Sequence, residues 1–276
     1  MKFEDLTSDR FLATILVSCL SGSLILADDT ESAARQARLA AMRQRAETLQ
    51  LKVGERPELL RTGKEPLFRY SDPVGTTTDG TLWLWTQAER PIAAACLFND
   101  SREGFQWNYE LVSLSDSALF VDGRPGWNWR PVANQRRWIV VTEPEPADTG
   151  AKRLVQMKTL LAQFRAGGAY QAGDHTQMRL LPRPVYRYHC PDQKIEDGAM
   201  FLFAIGTNPE VLVQVEAIAR ADRSWRIGFA RMTAADVKVA RDELTVWEVE
   251  GVREWNPRHD YFSHYGPDRG DVAPDK

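Results

Sequence analysis

The sequence predicts an α+β fold in which one unit, a helix followed by an antiparallel meander sheet, occurs twice in tandem behind a signal peptide. The chain has 276 residues, which is enough for one large domain or two small ones. Three observations support this prediction. One motif recurs at a fixed offset, an amphipathic helical pattern precedes each copy, and short apolar runs separated by proline and glycine follow it. Each unit is expected to be broadly cystatin-like, a sheet curled around a helix.

The repeat is clearest where residues 66–85 align without a gap on residues 184–203. A residue that the fold requires should recur in both copies, whereas a residue of a single active site need not. Pro66, Arg69, Tyr70, Pro73, Asp79, Gly80, Leu84, Trp107 and Trp129 recur 118 residues later as Pro184, Arg187, Tyr188, Pro191, Asp197, Gly198, Leu202, Trp225 and Trp247.

This alignment divides the chain into four parts. Residues 1–27 are predicted to be a signal peptide and residues 28–146 the first repeat. Residues 147–264 are predicted to be the second repeat. Residues 265–276 are rich in proline, glycine and aspartate and are predicted to form a disordered tail.

Each copy is predicted to begin with a helix, because apolar residues recur every three or four positions. In the first copy this stripe is Leu39, Met42, Ala46, Leu49 and Val53. In the second copy Asp148 or Thr149 is expected to cap the helix, and Gly167-Gly168 to end it. At the offset of 118, Leu39, Met42 and Ala46 fall on Met157, Leu160 and Phe164.

Four strands are predicted after each helix, because short runs rich in apolar residues alternate with turn-forming residues. Pro and Gly between these runs suit an antiparallel meander. The predicted strands are 68–70, 82–86, 92–98 and 106–114 in the first copy, and 186–189, 200–205, 211–218 and 225–232 in the second.

The N-terminal segment 11–27 is an apolar run that ends abruptly on Asp28-Asp29. Its length and the small residue Ala27 at its end favour a cleaved secretory signal, and therefore export to the periplasm or the medium. A lipoprotein anchored at Cys19 is an alternative, because residues 16–19 resemble a lipobox. An uncleaved anchor is a third reading. After cleavage no membrane span is expected.

Charge and motifs limit the classes of function. The net charge is −3, which offers no field to attract nucleic acid. The sequence lacks Gly-x-Ser-x-Gly, His-Glu-x-x-His, a phosphate-binding Gly-Lys loop and paired Cys-x-x-Cys. No cofactor and no metal are therefore predicted, and the expected partner is an unidentified extracytoplasmic ligand or protein.

Two pairs of charged residues recur and are interpreted as structural. Arg69 and Asp79, like Arg187 and Asp197, lie at the two ends of a predicted hairpin. Asp79-Gly80 is interpreted as a turn. The alternative interpretation is that each pair grips a ligand.

Glu110 is the one weak catalytic candidate. It lies among aromatic residues, as the acid of a glycosidase often does, and it does not recur, because residue 228 is glycine. Glu103 and Glu216 are the guesses for a second carboxyl group.

The cysteines and histidines give weaker signals. Cys96 lies in an apolar run, Cys190 is predicted to lie at the edge of a loop, and either one disulfide or two free thiols is compatible with the pair. The four histidines, His175, His189, His259 and His264, lack the spacing of a helical zinc motif.

The segments RLLPRPVYRY, DGAMFLFAIGTNPEVL and DGTLWLW resemble an uncharacterised family of exported bacterial proteins. The resemblance covers most of residues 59–250. It implies export and a shared fold, and it implies no activity, cofactor or site.

Two functions from different classes follow from these observations. The first is an exported, non-catalytic binding or scaffold module whose ligand or partner lies where the two copies meet. The second is an extracytoplasmic hydrolase that acts on a polymer with Glu110 as general acid.

Overall fold

The computed structural model describes residues 12–54, 58–72, 77–100, 106–122, 127–133, 136–169, 175–219, 223–254 and 256–265, with side chains from residue 30 onward. This part of the chain contains two α-helices and seventeen strands. In chain order they are α1 (Leu12–Thr48), β1 (Gln50–Val53), β2 (Glu58–Leu60), β3 (Phe68–Asp72), β4 (Thr77–Gln87), β5 (Arg90–Asp100), β6 (Gln106–Ser113), β7 (Leu119–Asp122), β8 (Trp138–Val141), α2 (Gly150–Leu161), β9 (Phe164–Ala169), β10 (Thr176–Leu180), β11 (Tyr186–Cys190), β12 (Ile195–Ile205), β13 (Asn208–Ile218), β14 (Ser224–Arg231), β15 (Asp236–Arg241), β16 (Leu244–Val249) and β17 (Tyr261–His264), with a short 3-10 helix at Pro191–Gln193.

Residues 1–41 form one compact unit and residues 42–276 the other. In the first unit, Arg38 and Glu31 form an ion pair of 2.8 Å between Nη2 and Oε1. Among the described residues, no helix has both the length and the apolarity needed to cross a membrane. The predicted signal peptide begins in residues 1–11, which lie outside the described part, and the side chain of Cys19 is not described either.

Three antiparallel sheets make up the second unit. The five-stranded sheet has the order β17-β6-β5-β4-β3, and a small sheet has the order β2-β1-β7. The nine-stranded sheet has the order β16-β15-β9-β10-β12-β13-β14-β8, with β11 also paired to β12. This sheet curves into a nearly closed, barrel-like surface.

Strands β3 to β6 and strands β11 to β14 have the same lengths and the same registers. Tyr70 pairs with Gly80 on β4, and Tyr188 pairs with Gly198 on β12. All four strands of one set begin and end 118 residues before their counterparts, and the ladders shift register at corresponding places. Identical registers mean that corresponding side chains point to corresponding faces.

Each of the two larger sheets takes one edge strand from the other half of the chain. Strand β8 follows the first set along the chain but pairs with β14 of the second. Strand β17 follows the second set but pairs with β6 of the first. The predicted boundary at residue 146 therefore separates β8 from the sheet to which it belongs, and each half supplies one strand to the other.

The two larger sheets face each other across a shared apolar core. Leu82, Cys96 and Val112 on one sheet belong to the same buried cluster as Met200 and Leu212 on the other. The outer faces are covered by helices: Met42 and Ala46 of α1 pack on the five-stranded sheet, and α2 packs on the nine-stranded sheet. Each of the two larger sheets therefore has the shared core on one face and helical residues packed on the other.

The predicted α+β class is wrong, because the described residues are predominantly strand and neither half is a separate helix-plus-meander unit. The sequence pattern missed several short strands, among them β1, β7 and β16. It also assumed that each copy closes on itself, whereas edge-strand pairing depends on contacts between residues distant in sequence. The structure shows no independent cystatin-like units.

The helices are also offset differently from the prediction. Leu51 of β1 pairs with Leu60, and Ala166 of β9 pairs with Met178, which lies 118 residues after Leu60. Leu51 and Ala166 are therefore equivalent, at an offset of 115. This offset matches buried Met42 with buried Met157. The α2 helix is capped by Thr149, whose side chain accepts from the Lys152 amide.

Gly167 and Gly168 do not end α2, because they lie within β9. The helix ends at Leu161. A Cβ at position 168 would lie 2.7 Å from Cε of Met178 and 2.8 Å from the carbonyl oxygen of Asp236. Close approach of neighbouring strands is the reason for glycine there.

Candidate functional site

Polar residues gather at two places between the facing sheets. The first, which we call the tyrosine–glutamate cluster, consists of Glu110, Tyr261, Tyr265, Tyr70 and Cys96. Tyr261 and Tyr265 both donate hydrogen bonds to Oε1 of Glu110, at 2.8 and 2.6 Å. Glu110 is 7% exposed, so it lies neither in an open cleft nor on a solvated face. Its carboxyl group is satisfied by phenol donors from β17 and the residue after it.

Burial raises the pKa of Glu110 to about 7, and the two tyrosine hydrogen bonds and the charge of Arg231 oppose this rise. Burial also raises the pKa values of Tyr70 and of the Cys96 thiol. Tyr70 and Cys96 therefore keep their protons at neutral pH, whereas Glu110 titrates near it. A thiol in this environment is a poor nucleophile.

A small concavity lies next to this cluster. Its volume is about 160 Å³. Its wall includes Tyr261, which bonds Glu110, and Ser263, which is paired with Glu110 across the β6–β17 ladder. The remaining lining residues are polar or charged for the most part: Val252, Arg253, Glu254, Asn256 and His259.

The second cluster, which we call the arginine cluster, is centred on Glu216 of β13. It consists of Arg90, Asp116, Arg136, Tyr188, Gln214, Glu216 and Arg226. Glu216 is fully buried. Its Oε1 accepts from Nε of Arg90 at 3.2 Å and from the hydroxyl of Tyr188 at 2.7 Å, while its Oε2 accepts from Arg226.

The other arginine contacts extend this cluster towards solvent. Arg90 donates through Nη1 to Oδ2 of Asp116 at 2.9 Å, and Asp116 is 38% exposed at its side chain. Arg136 donates to the side-chain oxygen of Gln214. The guanidinium groups of Arg136 and Arg226 both lie over the ring of Trp138, at 5.2 and 4.4 Å from its centroid.

The recurring arginine–aspartate residues meet within each hairpin. Nε of Arg69 donates to Oδ1 of Asp79 at 2.7 Å, and Nη2 of Arg187 donates to Oδ2 of Asp197 at 2.5 Å. Asp197 also accepts from Nε of Arg153 on α2, at 3.0 Å. Both aspartates are buried, so these contacts tie strands together inside the protein.

The turn predicted at Asp79-Gly80 is wrong, because both residues lie inside β4. A Cβ at Gly80 would stand 2.4 Å from Cζ of Tyr70, and one at Gly198 would stand 2.3 Å from Cζ of Tyr188. The glycine recurs because the recurring tyrosine ring covers it. The recurrence of both residues is visible in the sequence, but only the strand pairing shows its cause.

Cys96 and Cys190 are both buried free thiols. Of the two alternatives, a disulfide or two free thiols, the structure therefore shows the second. Cys190 does not lie at a loop edge as predicted, because it is the last residue of β11 and is 1% exposed. Burial next to apolar side chains of both sheets makes each thiol part of the shared core.

The histidines lie apart from one another in the structure. Nδ1 of His189 lies 2.8 Å from the carbonyl oxygen of Glu196, and the ring of His264 packs on Trp127 at 5.4 Å between centroids. His259 lines the concavity, and His175 lies against Gly167. Within the described ranges, no group of three or more His, Cys, Asp or Glu residues could hold a metal ion.

Sequence reasoning missed most of both clusters. Glu216 was named only as a guess for a partner of Glu110, yet it is the centre of a separate cluster. Glu103, the other guess, lies outside the described residues. Tyr265 was assigned to the tail, but its hydroxyl reaches Glu110. Recurrence could not reveal these residues, since apart from the tyrosine on β3 and β11 the clusters use different positions.

Comparison of the chain with protein-family models, with curated proteins and with solved structures finds no match.

Proposed function

We propose that the protein is an exported, non-catalytic binding or scaffold module built on an internal repeat of four strands. One observation carries this proposal: the two buried carboxyl groups, Glu110 and Glu216, are held by tyrosine and arginine donors of the protein itself. A general acid must reach a substrate atom within hydrogen-bond distance. Carboxyl groups held by internal donors in this way have a structural role in the core of the protein.

The concavity at residues 252–263 is the site that we propose for a small ligand. It lies on the segment that carries the chain from the second strand set to the sheet of the first, where the two halves meet. Arg253 and Glu254 place opposite charges on its wall, so a small zwitterion such as a dipeptide has complementary groups. Its volume of about 160 Å³ suits a ligand smaller than the usual drug-sized molecule.

Binding is tested by calorimetric titration of the protein with glycylglycine, and with acetate and methylammonium as probes of one charge each. We expect saturable binding of the dipeptide, weakened in Arg253→Ala and Glu254→Ala. Arg223→Ala is the control, because Arg223 pairs with Glu196 and Asp148 instead. Equal heats for all variants would exclude the concavity as the site.

Export is tested by sequencing the N-terminus of protein recovered from the expressing cells and their medium. A mature start at Asp28 supports the proposal. A lipid-modified start at Cys19 would replace soluble export with anchoring, and an intact Met1 in the cytosol would exclude export.

The hydrolase remains the second candidate function, because a carboxyl group with a pKa of about 7 suits a general acid and Tyr261 connects Glu110 to the concavity. It is tested by release of soluble fragments from labelled cell-wall polymers. Activity that is lost in Glu110→Gln but kept in Arg223→Ala would replace the module with the enzyme. Activity that survives in Glu110→Gln would remove Glu110 as the acid.

A further inference from the structure

We propose that the arginine cluster is a binding site for a small inorganic anion of about the size of chloride, held between Arg90 and Arg136. The first observation is the balance of charge. Arg90, Arg136 and Arg226 bring three guanidinium groups together, while the cluster contains two carboxyl groups, Glu216 and Asp116. Among these five side chains, one positive charge is therefore in excess.

The second observation is that two guanidinium nitrogens have no acceptor. Nη2 of Arg90 and Nη2 of Arg136 are buried, and within the described part of the chain neither has a hydrogen-bond partner. The Arg90 side chain is 5% exposed. A buried charged donor without an acceptor is costly, and an unseen ion or water is an ordinary explanation for such a group.

The third observation is that the two arginines are held close to each other. Nε of Arg90 donates to Oε1 of Glu216, the amide nitrogen of Gln214 donates to the same oxygen at 3.1 Å, and the amide oxygen of Gln214 accepts from Arg136. Two side chains thus link the two guanidinium groups. The charge of Arg90 acts on Arg136, and an anion that accepts hydrogen bonds from both would offset this repulsion.

The electrostatics of Arg136 agree with this placement. The pKa of Arg136 is lowered to about 10, by burial above all and also by the charge of Arg90, while Glu216 and Asp116 oppose the change. Asp260 also interacts with Arg136; burial raises the pKa of Asp260, and the charges of Arg231 and Arg136 oppose the rise. An anion accepting from Nη2 would stabilise the charged guanidinium directly.

The size of the proposed anion follows from the enclosure. Both Nη2 atoms are shielded from solvent, and Trp138 covers the guanidinium groups of Arg136 and Arg226 from one side. A monatomic anion accepts hydrogen bonds from any direction and needs the least room. The site therefore favours a halide over a bulky organic anion.

Crystals of the full chain soaked in sodium bromide test the site directly. We expect an anomalous difference peak within hydrogen-bond distance of Nη2 of both Arg90 and Arg136. A map with bromide peaks only on the surface, or with water alone at this position, would overturn the proposal. This measurement uses the unmodified protein and does not depend on the folding of a variant.

Thermal unfolding provides the second test, with chloride exchanged for gluconate at constant ionic strength so that screening does not change. We expect Tm to rise with chloride and to saturate, because a ligand that binds only the folded state stabilises it. The rise should be lost in Arg136→Gln and kept in the surface control Arg223→Gln. An equal rise in Arg136→Gln would show that chloride acts elsewhere and would overturn the proposal.

Discussion

The two polar clusters between the sheets show how one backbone can hold different interior chemistry. Both stand on strands with the same registers and both include the tyrosine that recurs on β3 and β11. In the first, Glu110 accepts only hydroxyl donors in the contacts described above. In the second, Glu216 accepts from two guanidinium groups. At each equivalent position the first strand set has one residue and the second set another: Cys96 corresponds to Gln214, Phe98 to Glu216, Asn108 to Arg226, and Glu110 to Gly228.

The two strand sets therefore share the pairing of their strands but carry charged side chains at different positions. The two carboxyl groups lie at non-equivalent positions, Glu110 on β6 and Glu216 on β13. The donors to Glu110 come from β17 and the residue after it, whereas those to Glu216 come from its own sheet and from Arg90 on β5 of the facing sheet. A buried carboxyl group is tolerated only with such donors, so each of the two has its own set, completed by the other half of the chain.

The largest effect is expected from Glu216→Gln. This change removes the charge that holds Arg90 and Arg226 and leaves both guanidinium groups buried without it. Breaking a buried ion pair by removing one partner costs about 3–5 kcal/mol. Urea unfolding at pH 7 measures the loss. A cost below about 1 kcal/mol would mean that the arginine cluster does not depend on its central carboxylate.

Glu110→Gln should have the opposite effect at neutral and higher pH. In the folded protein the pKa of Glu110 is about 7, against an ordinary value of 4.5, so folding favours the protonated form. The folded state binds more protons than the unfolded state between these values, and stability therefore falls as pH rises from about 4.5 to about 7 and is then constant. The full loss is on the order of 3 kcal/mol.

Urea unfolding of both proteins from pH 4.5 to pH 8 measures this linkage. We expect Glu110→Gln to lose this component of the pH dependence and to be the more stable protein at pH 8. Glu65→Gln is the control, because Glu65 is an exposed partner of Arg43. Parallel stability profiles for the wild-type protein and Glu110→Gln would contradict the raised pKa.

The glycines under the tyrosine rings should respond alike in both halves. In Gly80→Ala and Gly198→Ala the new methyl group meets Tyr70 or Tyr188 at 2.4 and 2.3 Å, so the ring must move. Overpacking of this kind costs about 1–3 kcal/mol. Thermal unfolding of the two variants measures it. A neutral change in one half only would show that the halves differ in packing as well as in charge.

The smallest effect is expected from Arg187→Ala. Its side chain is 37% exposed, and Arg153, at 10% exposure, still holds Asp197 after the change. We expect a loss of about 1 kcal/mol, because a charged donor remains on the buried carboxylate. Arg153→Ala should cost more. The reverse order in urea unfolding would assign the main support of Asp197 to Arg187.

The sequence alone was sufficient for features that depend on local pattern. Short apolar runs bounded by turn-forming residues located the longer strands. The recurring Arg69–Asp79 and Arg187–Asp197 pairs were expected in their hairpins and are found there. The recurring tyrosine and glycine were visible as a pattern, although the interpretation of Asp79-Gly80 as a turn was wrong. Local pattern also overestimated the helices, since apolar spacing cannot show that Phe164 begins a strand.

Only the tertiary structure decided which halves exchange strands and which polar groups meet. Tyr261 reaches Glu110 across 151 positions of sequence, and Arg90 reaches Glu216 across 126. These contacts exist because β17 and β8 pair with the opposite strand set and because the two sheets share one core. An antiparallel edge accepts any strand of suitable register, so the choice of partner depends on the free energy of the whole folded chain and leaves no signature in a local segment.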